Sequence, residues 1–355
     1  MELLEHNKSS NLSECAVYEP YSMLRFILIS IASSVCVIGV LSNLLLIYIF
    51  AGPRRGQFRT DVFYQAVLAL FDLFLCVLYV AIFETDAVAI YMRIKAAHYL
   101  QFLLIKQTFV GSRVVQLVIA YLLIFASFER LLLISKIQDT AFRYLLSKRA
   151  RQLISLLIIL SCIIVRAPTL AGLTVYMYAH CNDYFKAKQL IPTELMGTPG
   201  FQFYLQYLIN PLQIFIPCAL LLGLNAAIDY TGRVLGHRPN VYQALAIRYI
   251  VRRQRRAFRS AIWTMVIVAS TNLVCNIGNA ALTLLEQLTP SLLAEEGVFS
   301  QIYILVGDIL SFLFVLCSAM RLLVYYVCNQ EIRSTVRRLL FGGKPLWGSS
   351  PVRRK

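Results

Sequence analysis

The chain has 355 residues, 59% of them apolar and only 15% charged, against roughly 45–50% apolar and about 25% charged in soluble domains. With a mean hydropathy of +0.67, that balance excludes a water-soluble enzyme and a disordered regulator. The net charge of +16 would suit a nucleic-acid binder, but such a binder needs a polar surface that these long apolar runs do not leave; a polytopic membrane protein concentrates the same basic residues in its cytoplasmic loops.

In chain order, residues 1–20 are polar, with no apolar core for a cleavable signal, so the first span is expected to direct its own insertion. Asn7-Lys8-Ser9 and Asn11-Leu12-Ser13 are glycosylation acceptors, usable only if this segment faces the lumen. Seven stretches then reach the roughly 20 apolar residues that cross a bilayer: Leu24–Phe50, Val62–Phe83, Phe102–Leu133, Leu153–Leu173, Phe201–Ile228, Ala261–Leu285 and Val298–Val327. Basic residues gather after the odd-numbered spans: Arg54, Arg55 and Arg59; Lys136 to Arg151; Arg233 to Arg259; and Arg333 to Lys355. On the other side, Lys186 and Lys188 are alone between spans four and five and Leu285–Val298 holds no basic residue. The positive-inside rule therefore puts the N-terminus outside and the C-terminus in the cytoplasm. Predicted is an all-α membrane protein: an extracellular segment (1–23), a seven-transmembrane helix bundle (24–329), a short amphipathic, membrane-parallel helix (330–341) and a basic cytoplasmic tail (342–355). In the amphipathic helix, Ile332, Val336, Leu339 and Leu340 oppose Arg333, Arg337 and Arg338.

Ionisable groups at membrane depth are expensive and mark a working interior. Asp72 lies midway through the second span and Arg321 deep in the seventh; mutual neutralisation is the simplest solution for both. In the sixth span Asn272, Asn276, Asn279, Thr283 and Glu286 follow each other at helical spacing on one face. This stripe reads either as the wall of a water-accessible cavity or as interhelical hydrogen bonding in a packed bundle. The third span adds Lys106, Gln107, Arg113 and Gln116, while Arg166 stands in the apolar fourth. Together with Glu84, Asp86 and Glu286 the third-span groups predict a mixed-charge vestibule suited to a zwitterionic or peptide ligand, the alternative being purely structural ion pairs. Of nine cysteines only Cys15 and Cys181 fall on the oxidising side. Four scattered histidines offer no metal-ligand spacing, and there is no phosphate-binding loop. No cofactor and no catalytic activity are expected.

The order of several motifs resembles the rhodopsin-like (class A) family of G-protein-coupled receptors. Gly39-Val40-Leu41-Ser42-Asn43, Leu68-Ala69-Leu70-Phe71-Asp72, Glu129-Arg130-Leu131, Pro217, and Tyr325-Tyr326-Val327-Cys328-Asn329 followed by Glu331-Ile332-Arg333 stand where that family has its markers. Cys275-Asn276 and Leu285-Glu286 are similar to invertebrate and nematode FMRFamide-like neuropeptide receptors. The resemblance implies a plasma-membrane receptor that takes an extracellular ligand, in that group a peptide, and passes the signal to a heterotrimeric G protein. Glu129 and Arg130 would couple to the G protein. Asn43, Asn225 and Tyr325 would form the activation core, and Arg113, Gln116, Asn276, Asn279, Thr283 and Glu286 would bind ligand. Membrane lipids are the other expected partner; an orphan chemoreceptor for a small molecule and a seven-span transporter are the alternatives.

Departures from the family pattern carry expectations of their own. The third-span cysteine is missing near Ile105, leaving Cys15 as the candidate partner of Cys181. Gly278 stands in place of the sixth-span proline, and Arg321-Leu322 in place of the seventh-span Asn-Pro. The family's sodium site carries Ile119, Cys317 and Arg321 here, so the Arg321 guanidinium is expected to occupy sodium's place beside Asp72. The acidic sixth-span partner of Arg130 is replaced by Phe258 among arginines, leaving Glu129 as its expected counter-charge and predicting elevated basal signalling.

Overall fold

The computed structural model describes residues 23–51, 63–135, 144–236 and 298–341, together with Ile267, Ser270, Val274, Ile277, Gly278, Ala281, Leu282 and Leu285. The described chain is mostly helical: α1 (Met23–Ala51), α2 (Phe63–Tyr79), α3 (Thr85–Tyr91), α4 (Lys95–Ser135), α5 (Lys148–Arg166), α6 (Ile216–Gly236), α7 (Val298–Ala319), α8 (Arg321–Cys328) and α9 (Gln330–Phe341). Five helices among the described residues are long and apolar enough to cross a membrane, and the bent pair α7–α8 makes a sixth. The architecture is that of a helical, multi-pass membrane protein. The predicted sixth span, Ala261–Leu285, lies largely outside the described residues.

The ends of these helices differ from the apolar runs, because helices continue where hydropathy stops. A π-helical turn, Val80–Glu84, carries the second span on into α3 as far as Tyr91. The widened turn frees the Ile82 carbonyl, which accepts from Gln101 Nε2 of α4 at 2.9 Å. α4 begins at Lys95, seven residues before the apolar run it contains. α5 starts at Lys148, where Ser147 caps it by accepting from the Ala150 amide. Two π-helical stretches, Tyr204–Ile209 and Pro211–Phe215, precede α6. The seventh span bends by 42° between Ala319 and Arg321, with no proline at the break. Asn329 then ends α8 in an extended conformation and accepts from the Ile332 amide, so that one residue stops α8 and caps α9.

The fourth predicted span ran into Leu173, but the helical turn Pro168–Ala171 is followed by a strand. β1 (Leu173–Met177) pairs antiparallel with β2 (Lys188–Pro192), Val175 opposite Leu190. This two-stranded hairpin is the exception to the all-α expectation. It is clamped to the start of α4: buried His98 Nε2 lies 3.2 Å from the Phe185 carbonyl, Asp183 pairs with Arg93 at 3.8 Å, and Lys188 stands over the Tyr99 ring.

The core forms along α4, whose Val115, Leu117, Val118, Ile119, Leu122 and Leu123 are buried against Leu68 and Leu75 of α2, Ile158 and Cys162 of α5, and Leu221 of α6. A second cluster joins Leu46 and Phe50 of α1 to Tyr325 of α8 and to Ile332 and Val336 of α9, so half of the α9 apolar stripe packs on the bundle. α1, α2 and α7 meet most closely at Gly39, where an added Cβ would stand 2.8 Å from Cys76 Sγ and 2.9 Å from Ala319 Cβ. Gly39→Ala is therefore expected to destabilise by about 1–3 kcal/mol through overpacking. Gly111→Ala on α4, with nothing within 4 Å, serves as the control in thermal melts of the purified protein, and equal melting of the two variants would refute the close approach. Gly278 is approached in the same way by the Leu310 side chain of α7.

Candidate functional site

Two buried ion pairs organise the polar interior. Arg321, at the first turn of α8, forms an ion pair with Asp72 in the middle of the second span; both side chains are at least 96% buried. The second Asp72 oxygen, Oδ1, accepts from Ser318 Oγ at 2.8 Å. Asn43 Nδ2 donates to the Gly39 carbonyl at 3.0 Å and to the Ser318 carbonyl at 3.3 Å. The second and seventh spans thus meet at one carboxylate whose charge is met by a guanidinium and a hydroxyl, and Asn43 fastens the first span to the Ser318 backbone beside it. Ile119 is buried in the α4 core.

Tyr325, one turn beyond Arg321, is also buried, edge-on to Phe50 at 5.6 Å. Its hydroxyl lies within electrostatic reach of Arg321, Asp72 and Arg130. Asn225 on α6 shares no described contact with this group, and its Oδ1 is buried without a hydrogen-bond partner.

At the end of α4, Glu129 and Arg130 are both buried. Glu129, expected to answer Arg130, forms an ion pair with Arg151 of α5. Arg151 was missed because it stands beside Lys148 and Arg149 in a basic loop and reads as a topology signal; only the antiparallel packing of α4 and α5 exposes its role. A cavity of about 20 Å³ lies beside the pair, lined by Tyr64, Phe125, Glu129, Leu145 and Ile154 among others.

At the hairpin end, Glu84 and Arg113 of the predicted vestibule have different neighbours. Glu84 has Cys36 and Tyr79 as electrostatic neighbours, near the ion pair between Arg25 of α1 and Asp308 of α7 at 2.9 Å. Arg113 lies over the Phe109 ring, 5.5 Å from its centroid, and its charge reaches Arg166 at the end of α5. Gln116 is half-buried on the same helix. The remaining predicted ligand-binding residues, Asn276, Asn279, Thr283 and Glu286, lie outside the described residues, as do Cys15, the acceptors Asn7 and Asn11, Phe258 and the tail 342–355. Cys181 is not among the free thiols of the described residues.

No protein-family model matches the chain, and no curated relative matches it either.

Proposed function

We propose that the chain is a seven-span receptor of the rhodopsin-like kind at the plasma membrane, glycosylated at Asn7 and Asn11, tied by a Cys15–Cys181 disulfide, and coupled through Glu129 and Arg130 to a heterotrimeric G protein. The observation that carries this reading is the position of Tyr325. It feels the charges of the Asp72–Arg321 pair and of Arg130 alike, so a rearrangement around the pair alters the field that Tyr325 shares with Arg130. The basic loops lie at the Arg130 end of the bundle, which supports a cytoplasmic position for that end. For the ligand cavity, support comes from the sixth segment: Ile267, Val274, Ile277 and Leu285 are helical and exposed, as a lipid-facing surface requires. In the sequence, the polar positions Asn272, Asn276, Asn279 and Thr283 fall out of phase with these four at the helical period. A ligand acts by binding one arrangement of the bundle more tightly than the other, since equal affinity shifts nothing.

The deciding experiment expresses the chain in cells and applies amidated peptides ending in Arg-Phe, reading GTP exchange and substrate flux side by side. Peptide-evoked exchange without flux, much weaker in Glu286→Gln, is the expected result. Flux without exchange would make the chain a transporter and overturn the proposal.

A further inference from the structure

We propose that Arg166, with Arg113 beside it, forms an oxyanion subsite where α4, α5 and the start of the fifth span meet, taking a carboxylate or phosphate group of the bound molecule. This rests on the receptor reading only in treating the bound molecule as the receptor's ligand.

The register of two antiparallel helices puts the two arginines at one level of the bundle. Glu129 of α4 pairs with Arg151 of α5. Stepping back 16 residues along α4 reaches Arg113, and stepping forward 15 along α5 reaches Arg166; at 1.5 Å per residue these are rises of about 24 Å and about 22 Å. The two guanidinium groups therefore arrive at the same level, and the charge of Arg113 acts on Arg166. The fifth span is fastened at this level as well, since the Tyr204 hydroxyl donates to the Val165 carbonyl, and Tyr204 is itself an electrostatic neighbour of Arg166. Tyr204 opens a π-helical stretch, a feature that recurs at functional sites.

Arg166 differs from Arg25, Arg151 and Arg321 in its partners. Arg25, Arg151 and Arg321 each face a carboxylate. Arg166 is 93% buried and no carboxylate pairs with it among the described residues; its Nε has no hydrogen-bond partner, as is also true of the Nε of Arg151 and Arg321. The carbonyl end of α5 offers it only a partial negative charge, less than a desolvated guanidinium requires, and the nearest charge has its own sign. A planar fork of N–H donors in this position fits two oxygens of one anion, side-on through Nε and Nη.

The test measures thermal midpoints of the purified full chain in phosphatidylcholine nanodiscs, titrated with inorganic phosphate against chloride at constant ionic strength. A second arm omits phosphate and adds phosphatidylglycerol to the nanodisc. The expected result is stabilisation of the parent by at least one of the two anion sources. Phosphate alone marks a soluble anion, phosphatidylglycerol alone a lipid headgroup. Arg166→Gln should require roughly tenfold or more of that anion for the same shift, and Arg166→Lys, which keeps the charge but loses the fork, should fall between. If Arg166→Gln does not yield folded protein, the Arg166→Lys comparison decides. Equal responses in parent and variants, or no response to either source, overturn the subsite. The measurement needs no G protein, so its failure leaves the receptor reading standing, and failure of ligand-evoked GTP exchange leaves the subsite standing.

Discussion

Asp72→Asn should destabilise the protein by about 3–5 kcal/mol, because it leaves Arg321 as an uncompensated charge in the middle of the bundle. Arg321 is buried and faces Asp72 across two spans. Removing both charges gives the opposite result. Asp72→Leu combined with Arg321→Met should melt close to the parent, since replacing a buried pair by apolar groups of similar volume is often neutral or stabilising. The double-mutant cycle is therefore strongly non-additive. Additive losses would show that the two side chains act independently and would defeat the pairing. The same geometry makes a second, simpler measurement informative. Asp72 Oδ2 faces Arg321 and Oδ1 accepts from Ser318, so a cation has no carboxylate oxygen to claim. Melting in sodium chloride and potassium chloride at equal ionic strength should coincide, and a sodium-specific stabilisation of the parent would refute the substitution of guanidinium for ion.

Asp72 and Arg321 are legible from sequence because a charge inside an apolar run has few physical solutions, and the nearest opposite charge at the same depth is the first of them. Tyr325 is legible from its place in a motif. What sequence hides is the identity of a partner when several candidates have the same charge. Glu129 stands next to Arg130, and adjacency suggests that they answer each other; the packing of α4 on α5 brings Arg151 to Glu129 from 22 residues away. Arg166 is visible as an oddity in an apolar run, but its relation to Arg113 depends on helix register and has no signature along the chain. The hairpin is hidden for a related reason. Leu173-Thr174-Val175-Tyr176-Met177 alternates as a strand does, yet it follows the fourth apolar run so closely that hydropathy absorbs its first residue. The bend before Arg321 carries no proline to announce it.

Arg151→Leu should lower basal GTP exchange. Two arginines flank one carboxylate at the end of α4: Arg151 holds Glu129 in the structure, and Arg130 follows it in the chain. In the receptor reading, Arg130 must be available to the G protein, and whatever draws Glu129 away from it favours that availability. Deleting the Arg151 guanidinium leaves Arg130 as the cation next to Glu129 in the chain. A bias of about 1 kcal/mol toward the closed arrangement corresponds to roughly a fivefold fall in basal exchange. Glu129→Gln acts in the other direction. It leaves Arg151 buried without its carboxylate, at a cost of about 3–5 kcal/mol in stability, and it removes the restraint on Arg130, so that exchange per folded receptor rises. Arg130→Ala sets the zero of the assay. The two substitutions break the same ion pair, and a purely structural role for that pair predicts the same loss of folded protein and unchanged exchange per receptor in both. Opposite signs of basal exchange require that Glu129 be shared between the two arginines, and equal signs would reduce the pair to a fastening between α4 and α5.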